Sequence, residues 1–197
     1  MPVFSDLQLV TGRLLLRPLT EGDAGALFAL CSDPEVMRYA GSLPWTEIGQ
    51  AQQRIQRHLN AMASDEYLCL GIVLRSDKDT AAPLIGSCTL FNLSEPCRRA
   101  EIGYSLTRAY WGQGYMHEAL MVLVSYGFQD MHLNRIEADI DPRNLASEKS
   151  LKRLGFRLEG YLRERWIVDG VVSDSGLYGL LASEWPPVTA GVFHASR

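Results

Sequence analysis

The sequence predicts an α+β fold built on one mixed sheet, and three observations carry that prediction. Runs rich in strand formers follow one another closely at Tyr67 to Leu74, Leu84 to Phe91 and Ala100 to Leu106. A long helical pattern from Tyr115 to Met131 then separates the last of these from a further strand, Arg135 to Ile140, which calls for a crossover between parallel neighbours. A chain of 197 residues with 47% hydrophobic and 21% charged side chains is enough for one substantial core.

The elements follow in order. Arg13 to Leu19 reads as an extended run stopped by Thr20-Glu21-Gly22-Asp23, and Ala24 to Cys31 carries Leu27, Phe28 and Leu30 at helical spacing. After the break at Pro44, Thr46 to Met62 sets Ile48, Ile55, Leu59 and Met62 along one stripe, which predicts a second helix. The three strand runs come next, separated by the turn-rich Ser76 to Pro83 and Asn92 to Arg99, and such short connections favour an antiparallel meander. Tyr115 to Met131 repeats apolar residues every three or four positions, through Met116, Ala119, Leu120, Leu123, Val124, Phe128 and Met131. Asn144 to Leu154 is a helix closed by Gly155 in the left-handed conformation, and Phe156 to Val168 and Val171 to Leu181 flank Asp169-Gly170 as a hairpin. About seven strands and four helices result. Residues 1–185 form the single expected domain, and residues 186–197, after Pro186-Pro187, are expected to be a flexible tail.

Composition excludes several classes. With 19 basic against 23 acidic side chains the chain has a formal charge of -4, so no global field draws it to nucleic acid or anionic lipid. No apolar run approaches the roughly 18 to 20 residues that span a bilayer, and no secretory signal layout opens the chain, so a cytoplasmic protein without a membrane partner is expected. Cys31, Cys69, Cys88 and Cys97 form no Cys-x-x-Cys pair and the histidines are scattered, so no metal site is expected.

The segment that carries chemistry runs from Glu101 to Tyr115. A strand passes into Thr107 to Trp111 and then Gly112-Gln113-Gly114-Tyr115, which opens the strongest helix. Unpaired N–H groups and the positive end of the helix dipole meet there, and glycines let an anion approach the main chain, so a pyrophosphate is the natural guest. A phosphate loop of the G-x-x-x-x-G-K-[ST] kind needs a Lys-Ser/Thr that is absent, and a dinucleotide fingerprint needs a third glycine where His117 stands. The competing reading is that Gly112 and Gly114 only shape a turn.

A second set of residues bears on that choice. Together with Tyr110-Trp111-Gly112-Gln113-Gly114-Tyr115 and Glu118-Ala119-Leu120 stand Arg135-Ile136-Glu137-Ala138, Pro142, Asn144, Ser147, Leu154-Gly155-Phe156 and the opening Thr11 to Pro18. In this set the chain resembles the GCN5-related N-acetyltransferase (GNAT) superfamily, nearest the branch of ribosomal-protein N-terminal acetyltransferases, from about Thr11 to Leu181. The resemblance implies a central twisted mixed sheet whose fourth and fifth strands, Ala100 to Leu106 and Arg135 to Ile140, splay apart. Acetyl-CoA would lie in that V as though it were an extra strand. Main-chain groups of Tyr104 and Leu106 would then pair with the pantetheine, Trp111, Gly112, Gln113, Gly114, Tyr115 and Met116 would cradle the pyrophosphate, and Asn144 and Ser147 would complete the cofactor contacts. Trp111 and Met116 depart from the residues usual in the superfamily's phosphate loop, and the helical stripe favours Met116 in the core.

The resemblance also implies roles. The amine must be neutral to attack a thioester, and model values of about 8 for an α-amine and about 10.4 for lysine mean that a proton has to be removed first. Glu101 matches by position the glutamate that many members use through ordered water, although a strand-edge glutamate is equally a solvated or ion-paired residue. The leaving thiolate gains from a donor, and Ser147 is the candidate because Leu151 stands where many members carry a tyrosine. Asn144 also reads as an N-cap, and Ser147 as a first-turn residue bonding the backbone. The oxyanion would meet a backbone N–H of the fourth strand. Glu137, Asp139 and Asp141 alternate on one strand face; if they line the acceptor cleft they would draw a cationic amine, and otherwise they are solvated, as His117 is expected to be. The loop Asp33 to Pro44 with Trp45 lies where the superfamily builds its acceptor wall.

Transfer of the acetyl group of acetyl-CoA to a primary amine is therefore the expected activity, with a protein N-terminal α-amine as acceptor. A polyamine or aminoglycoside is the alternative acceptor, and a catalytically degenerate acyl-CoA-binding module is the alternative to an enzyme. Monomer and homodimer both stay open.

Overall fold

The computed structural model describes residues 4–64, 67–75 and 82–186, together with the backbone of Ala195–Ser196. The described chain folds as a nine-stranded sheet in the order β7-β8-β6-β5-β4-β3-β2-β1-β9, in which β1 is Gln8–Val10, β2 Leu14–Arg17, β3 Leu68–Leu74, β4 Leu84–Ser94 and β5 Arg99–Leu106. The remaining strands are β6 Arg135–Ile140, β7 Arg157–Val168, β8 Val171–Leu181 and β9 Ala195–Ser196. Five α-helices accompany them: α1 Ala24–Ser32, α2 Pro34–Met37, α3 Ile48–Ala63, α4 Tyr115–Gln129 and α5 Leu145–Leu154.

The meander expected from the short connections is β3-β4-β5, antiparallel throughout, and only β5 and β6 pair in parallel, joined by α4. The expected hairpin is β7-β8, closed by Asp169 and Gly170 at positive φ. Two elements exceed the seven strands and four helices read from the sequence within the region where those were placed. β1 spans three residues, too short to display an alternation, and it stands only because Leu9 and Val10 pair with Leu16 and Leu15. The single turn α2 is started by Asp33, whose side chain accepts from Glu35 N at 2.9 Å, with Pro34 in its first turn. β9 pairs with β1, whereas the rest of the segment expected to be a flexible tail lies outside the described residues, as does most of the turn Ser76 to Pro83.

α4 is the centre of the core. The expected stripe Ala119, Leu120, Leu123, Val124 and Phe128 is buried, and Val122, Tyr126 and Gly127 are buried as well, so the C-terminal half of the helix is enclosed nearly all round. At Gly127 an added Cβ would stand 3.1 to 3.3 Å from Ile136, Leu90 and Leu133, which shows how closely the helix lies on the sheet. The stripe of α3 differs from the expectation. Ala51, Ile55, His58 and Met62 face inward, while Ile48 is exposed and Leu59 only partly covered. Among the described residues no helix is long and apolar enough to cross a membrane.

Candidate active site

The parallel pairing of β5 and β6 stops early. Arg99, Ala100 and Glu101 face Arg135, Ile136 and Glu137, and beyond that rung β5 continues to Leu106 and β6 to Ile140 without partnering each other. The register fixes which backbone groups this leaves. Thr107 N donates to Ile85 O at 2.8 Å, so alternation along the antiparallel pair turns the N–H and C=O groups of Ser105, Gly103 and Glu101 toward β4. Those of Ile102, Tyr104 and Leu106 face the gap. The Leu106 carbonyl accepts from Trp111 Nε1 at 2.7 Å, which leaves the Leu106 N–H and both groups of Tyr104 along the open edge.

At the far end of β5 the chain turns through Gly112 and Gly114, at φ 73° and 81°, into α4. Gly114 is the N-cap and no side chain caps the helix, so the first-turn N–H groups of Tyr115, Met116 and His117 point out of the helix end. Glu118 holds this turn in place. It accepts from Thr11 Oγ1, from Arg13 N at 2.9 Å and from Arg13 Nε at 2.6 Å, while Arg13 Nη1 donates to Gln113 O at 3.1 Å and the guanidinium lies 4.4 Å from the Tyr115 ring centre. Burial pushes the Glu118 carboxyl up, and these hydrogen bonds outweigh it and hold the group below the usual carboxylate range. Gln113 bonds Ala109 O through Nε2, Trp111 is half exposed, and Met116 packs its side chain against the core, as its place in the stripe predicts. An uncapped helix end, two glycines at positive φ and a free strand edge on one line fit the diphosphate and the amide arm of acetyl-CoA.

Asn144 caps α5, its Oδ1 accepting from Ser147 N at 3.0 Å. Ser147 is buried, and its Oγ lies 2.8 Å from Tyr104 Oη. Sequence reasoning assigned Tyr104 a main-chain role only; the structure adds that its phenol meets Ser147. Burial pushes this phenol up to about 12 and the bond to Ser147 pulls the other way, so it stays a protonated donor at neutral pH. Leu151, where a phenol is usual in the superfamily, is completely buried in the core.

Tyr104, Ser147 and Asn144 line one cleft of about 1050 Å³, whose other walls come from α3, β3 and β4. Glu101 does not share it. Its carboxylate sits at the vertex of the fork, accepts from Asn92 Nδ2 at 3.0 Å, and borders an adjoining recess of about 380 Å³. The acidic row is not an open acidic surface, because each member has an arginine: Glu137 meets Arg99 and Arg135, Asp139 lies 3.8 Å from Arg165, and Asp141 lies 2.6 Å from Arg143. Of the expected acceptor loop, Tyr39 and Ala40 reach the cleft, whereas Trp45 packs on the core. His117 is not fully solvated. Its Nδ1 is buried without a hydrogen-bond partner, and burial, then the nearby Arg153, lowers its basicity.

One group was missed from sequence. His58 is buried on the inner face of α3, its Nε2 2.7 Å from Arg54 Nε and its Nδ1 bonded to the Tyr67 hydroxyl; Arg54, Arg57, His58 and Tyr67 all line the cleft. Burial first, then Arg54 and Arg57, push the imidazole down to about 4, so it is neutral at pH 7. The available signal was the register of Ala51, Ile55, His58 and Met62, which places a histidine where an apolar residue belongs.

Comparison with known proteins agrees with this geometry. Residues 13–157 match the family model for the acetyltransferase (GNAT) domain, and the chain belongs to that family. It is 36% identical over 177 residues to the uncharacterized N-acetyltransferase p20 of Bacillus licheniformis, covering 90% of this chain and 97% of that one. It is 37% identical to the ribosomal protein uS5 alanine N-acetyltransferase of Escherichia coli, over 86 residues and 44% of each chain. A GNAT-family acetyltransferase of Bacillus anthracis superimposes with a TM-score of 0.79 at 24% identity, over 90% of this chain and 99% of that one. Spermidine N-acetyltransferase of Vibrio cholerae, solved with CoA and spermine, superimposes with a TM-score of 0.74 at 21% identity, over 87% and 96%. These two show the fold. The protein is an acetyl-transferring enzyme of the GNAT family. Among the described residues no cluster of three or more His, Cys, Asp or Glu could hold a metal ion.

Proposed function

We propose that the chain transfers the acetyl group of acetyl-CoA directly to a primary amine, with a protein N-terminal α-amine as acceptor. The observation that carries this reading is the fork. An unpaired β5 edge, an uncapped α4 end and a hydroxyl pair at Ser147 all border one approach, and each matches one part of an acyl-CoA. Acetyl-CoA supplies the activated thioester. The Tyr104 and Leu106 main-chain groups bind the pantetheine as a neighbouring strand would, and the amides of Gly112 to Met116 receive the diphosphate.

Ser147 then donates its hydroxyl hydrogen toward the leaving sulfur. With the Tyr104 phenol donating to Ser147 Oγ, the serine's own O–H is left to point into the cleft, and a group kept protonated up to about pH 12 holds that direction across the working range. In this way the β5 phenol and the α5 hydroxyl do together what a tyrosine at position 151 does elsewhere in the superfamily. Removal of the amine proton falls to Glu101 through water, because in the described fork it is the carboxylate that no arginine ion-pairs, in contrast to Glu137, Asp139 and Asp141.

An α-amine acceptor is favoured by its lower pKa, and the partial likeness to the uS5 alanine enzyme supports a ribosomal-protein-like N-terminus. The test is release of free CoA from acetyl-CoA with a panel of N-terminal peptides, lysine peptides and spermidine. N-terminal peptides should give the highest kcat/KM. Turnover confined to lysine or spermidine would contradict the acceptor, and cofactor binding without turnover on any amine would point to a degenerate binding module.

A further inference from the structure

We propose that the acceptor also carries an anion, a carboxylate or a phosphate group, which Arg54 and Arg57 of α3 hold while its amine is delivered toward Ser147; this rests on the acetyl-transfer reading above. The charges of the cleft point that way. Arg13, Arg99, Arg135 and Arg143 each meet a carboxylate, but Arg54 and Arg57 meet none among the described residues although both line the cleft. The one described carboxylate on the same walls, Asp139, already accepts from Ser175 Oγ and ion-pairs with Arg165. The free charge of the wall is therefore positive.

The geometry is also prepared for a guest. Arg54 Nε is tied to the buried His58, whose other nitrogen bonds Tyr67, with the two rings edge to face at 5.2 Å. This fixes the guanidinium plane while its terminal nitrogens, which carry four N–H donors, have no described partner. A guanidinium fork of that kind matches the two oxygens of a carboxylate or phosphate. Arg57, one turn on, adds a second charge, and His58 is held in its neutral form, so it serves as the anchor of Arg54 and not as a third cation. A polycationic acceptor would meet like charge at this wall.

The test uses the full chain loaded with CoA, so that the diphosphate site is filled and any anion bound is bound elsewhere. Calorimetric titration with succinate and, separately, inorganic phosphate should show binding that weakens at least tenfold in Arg57→Gln and further in Arg54→Gln/Arg57→Gln, and the tighter of the two names the source of the anion. In turnover, a peptide with Asp at its second position should have a KM at least tenfold below its Asn counterpart, or phosphoethanolamine one that far below ethanolamine. The advantage should vanish in Arg57→Gln while acetyl-CoA affinity is kept. Equal use of charged and neutral acceptors, preference for spermidine, or anion binding indifferent to both arginines would overturn the inference and leave acetyl transfer standing. Failure to bind acetyl-CoA would overturn both.

Discussion

The two sides of the cleft are made from different materials. On the cofactor side the binding groups are main chain: the β5 edge, the amides after Gly112 and the first turn of α4, positioned by a register and by two glycines at positive φ. On the acceptor side they are side chains: Arg54, Arg57, His58 and Tyr67, positioned by one another. A backbone site is set by fold geometry and serves whatever acyl-CoA enzyme the fold becomes. A side-chain site can be rewritten one residue at a time, which is how one architecture comes to serve many amines.

If that division is right, the largest effect should come from disturbing the main chain. Gly114→Val places a β-branched residue at φ 81°, with its Cβ 3.5 Å from Arg13, and should weaken acetyl-CoA binding by at least about a hundredfold in a calorimetric titration, with far-UV circular dichroism unchanged. Affinity within threefold of wild type would break the comparison. Ser147→Ala should lower kcat by on the order of a hundredfold or more and leave the acetyl-CoA KM nearly unchanged, since a general acid acts on the transition state.

The acceptor side should instead report through pH. Unfolded, His58 takes up a proton near pH 6.5, whereas the folded imidazole, facing Arg54, Arg57 and Tyr67, stays neutral down to about 4. A depressed base makes stability full above pH 6.5 and removes it as pH falls toward 4, by up to about 3 kcal/mol. Denaturant midpoints across that window should show the loss, and His58→Gln should flatten it. Tyr104→Phe, the smallest effect expected, should reduce kcat about tenfold, about 1.4 kcal/mol, the size of one lost hydrogen bond. Combined with Ser147→Ala it should cost little more than Ser147→Ala alone. Full additivity would show that the two hydroxyls act independently.

The same division explains what could be read from the sequence. α4, the left-handed Gly155, the Asp169-Gly170 turn and the glycines at α4 are local devices, and local devices leave local patterns. β1 and α2 were lost because three or four residues carry no period, although Asp33-Pro34 is a helix-start signal. The Tyr104–Ser147 bond joins residues far apart in the chain, and so do the ion pairs that silence the acidic row, where Glu137 meets Arg99 and Asp139 meets Arg165. Alternation showed that the row shares a face; it could not show which arginines would stand opposite. His58 was legible only as an exception to its own stripe, and that exception identifies the wall where substrate choice resides.

Hydrogen exchange on the wild-type chain, with and without acetyl-CoA, tests the central claim most directly. The amides of Tyr104, Leu106 and Gly112 to His117 should become protected together on addition of the cosubstrate. Protection absent from that set, or appearing elsewhere in the sheet, would contradict the placement of acetyl-CoA in the fork.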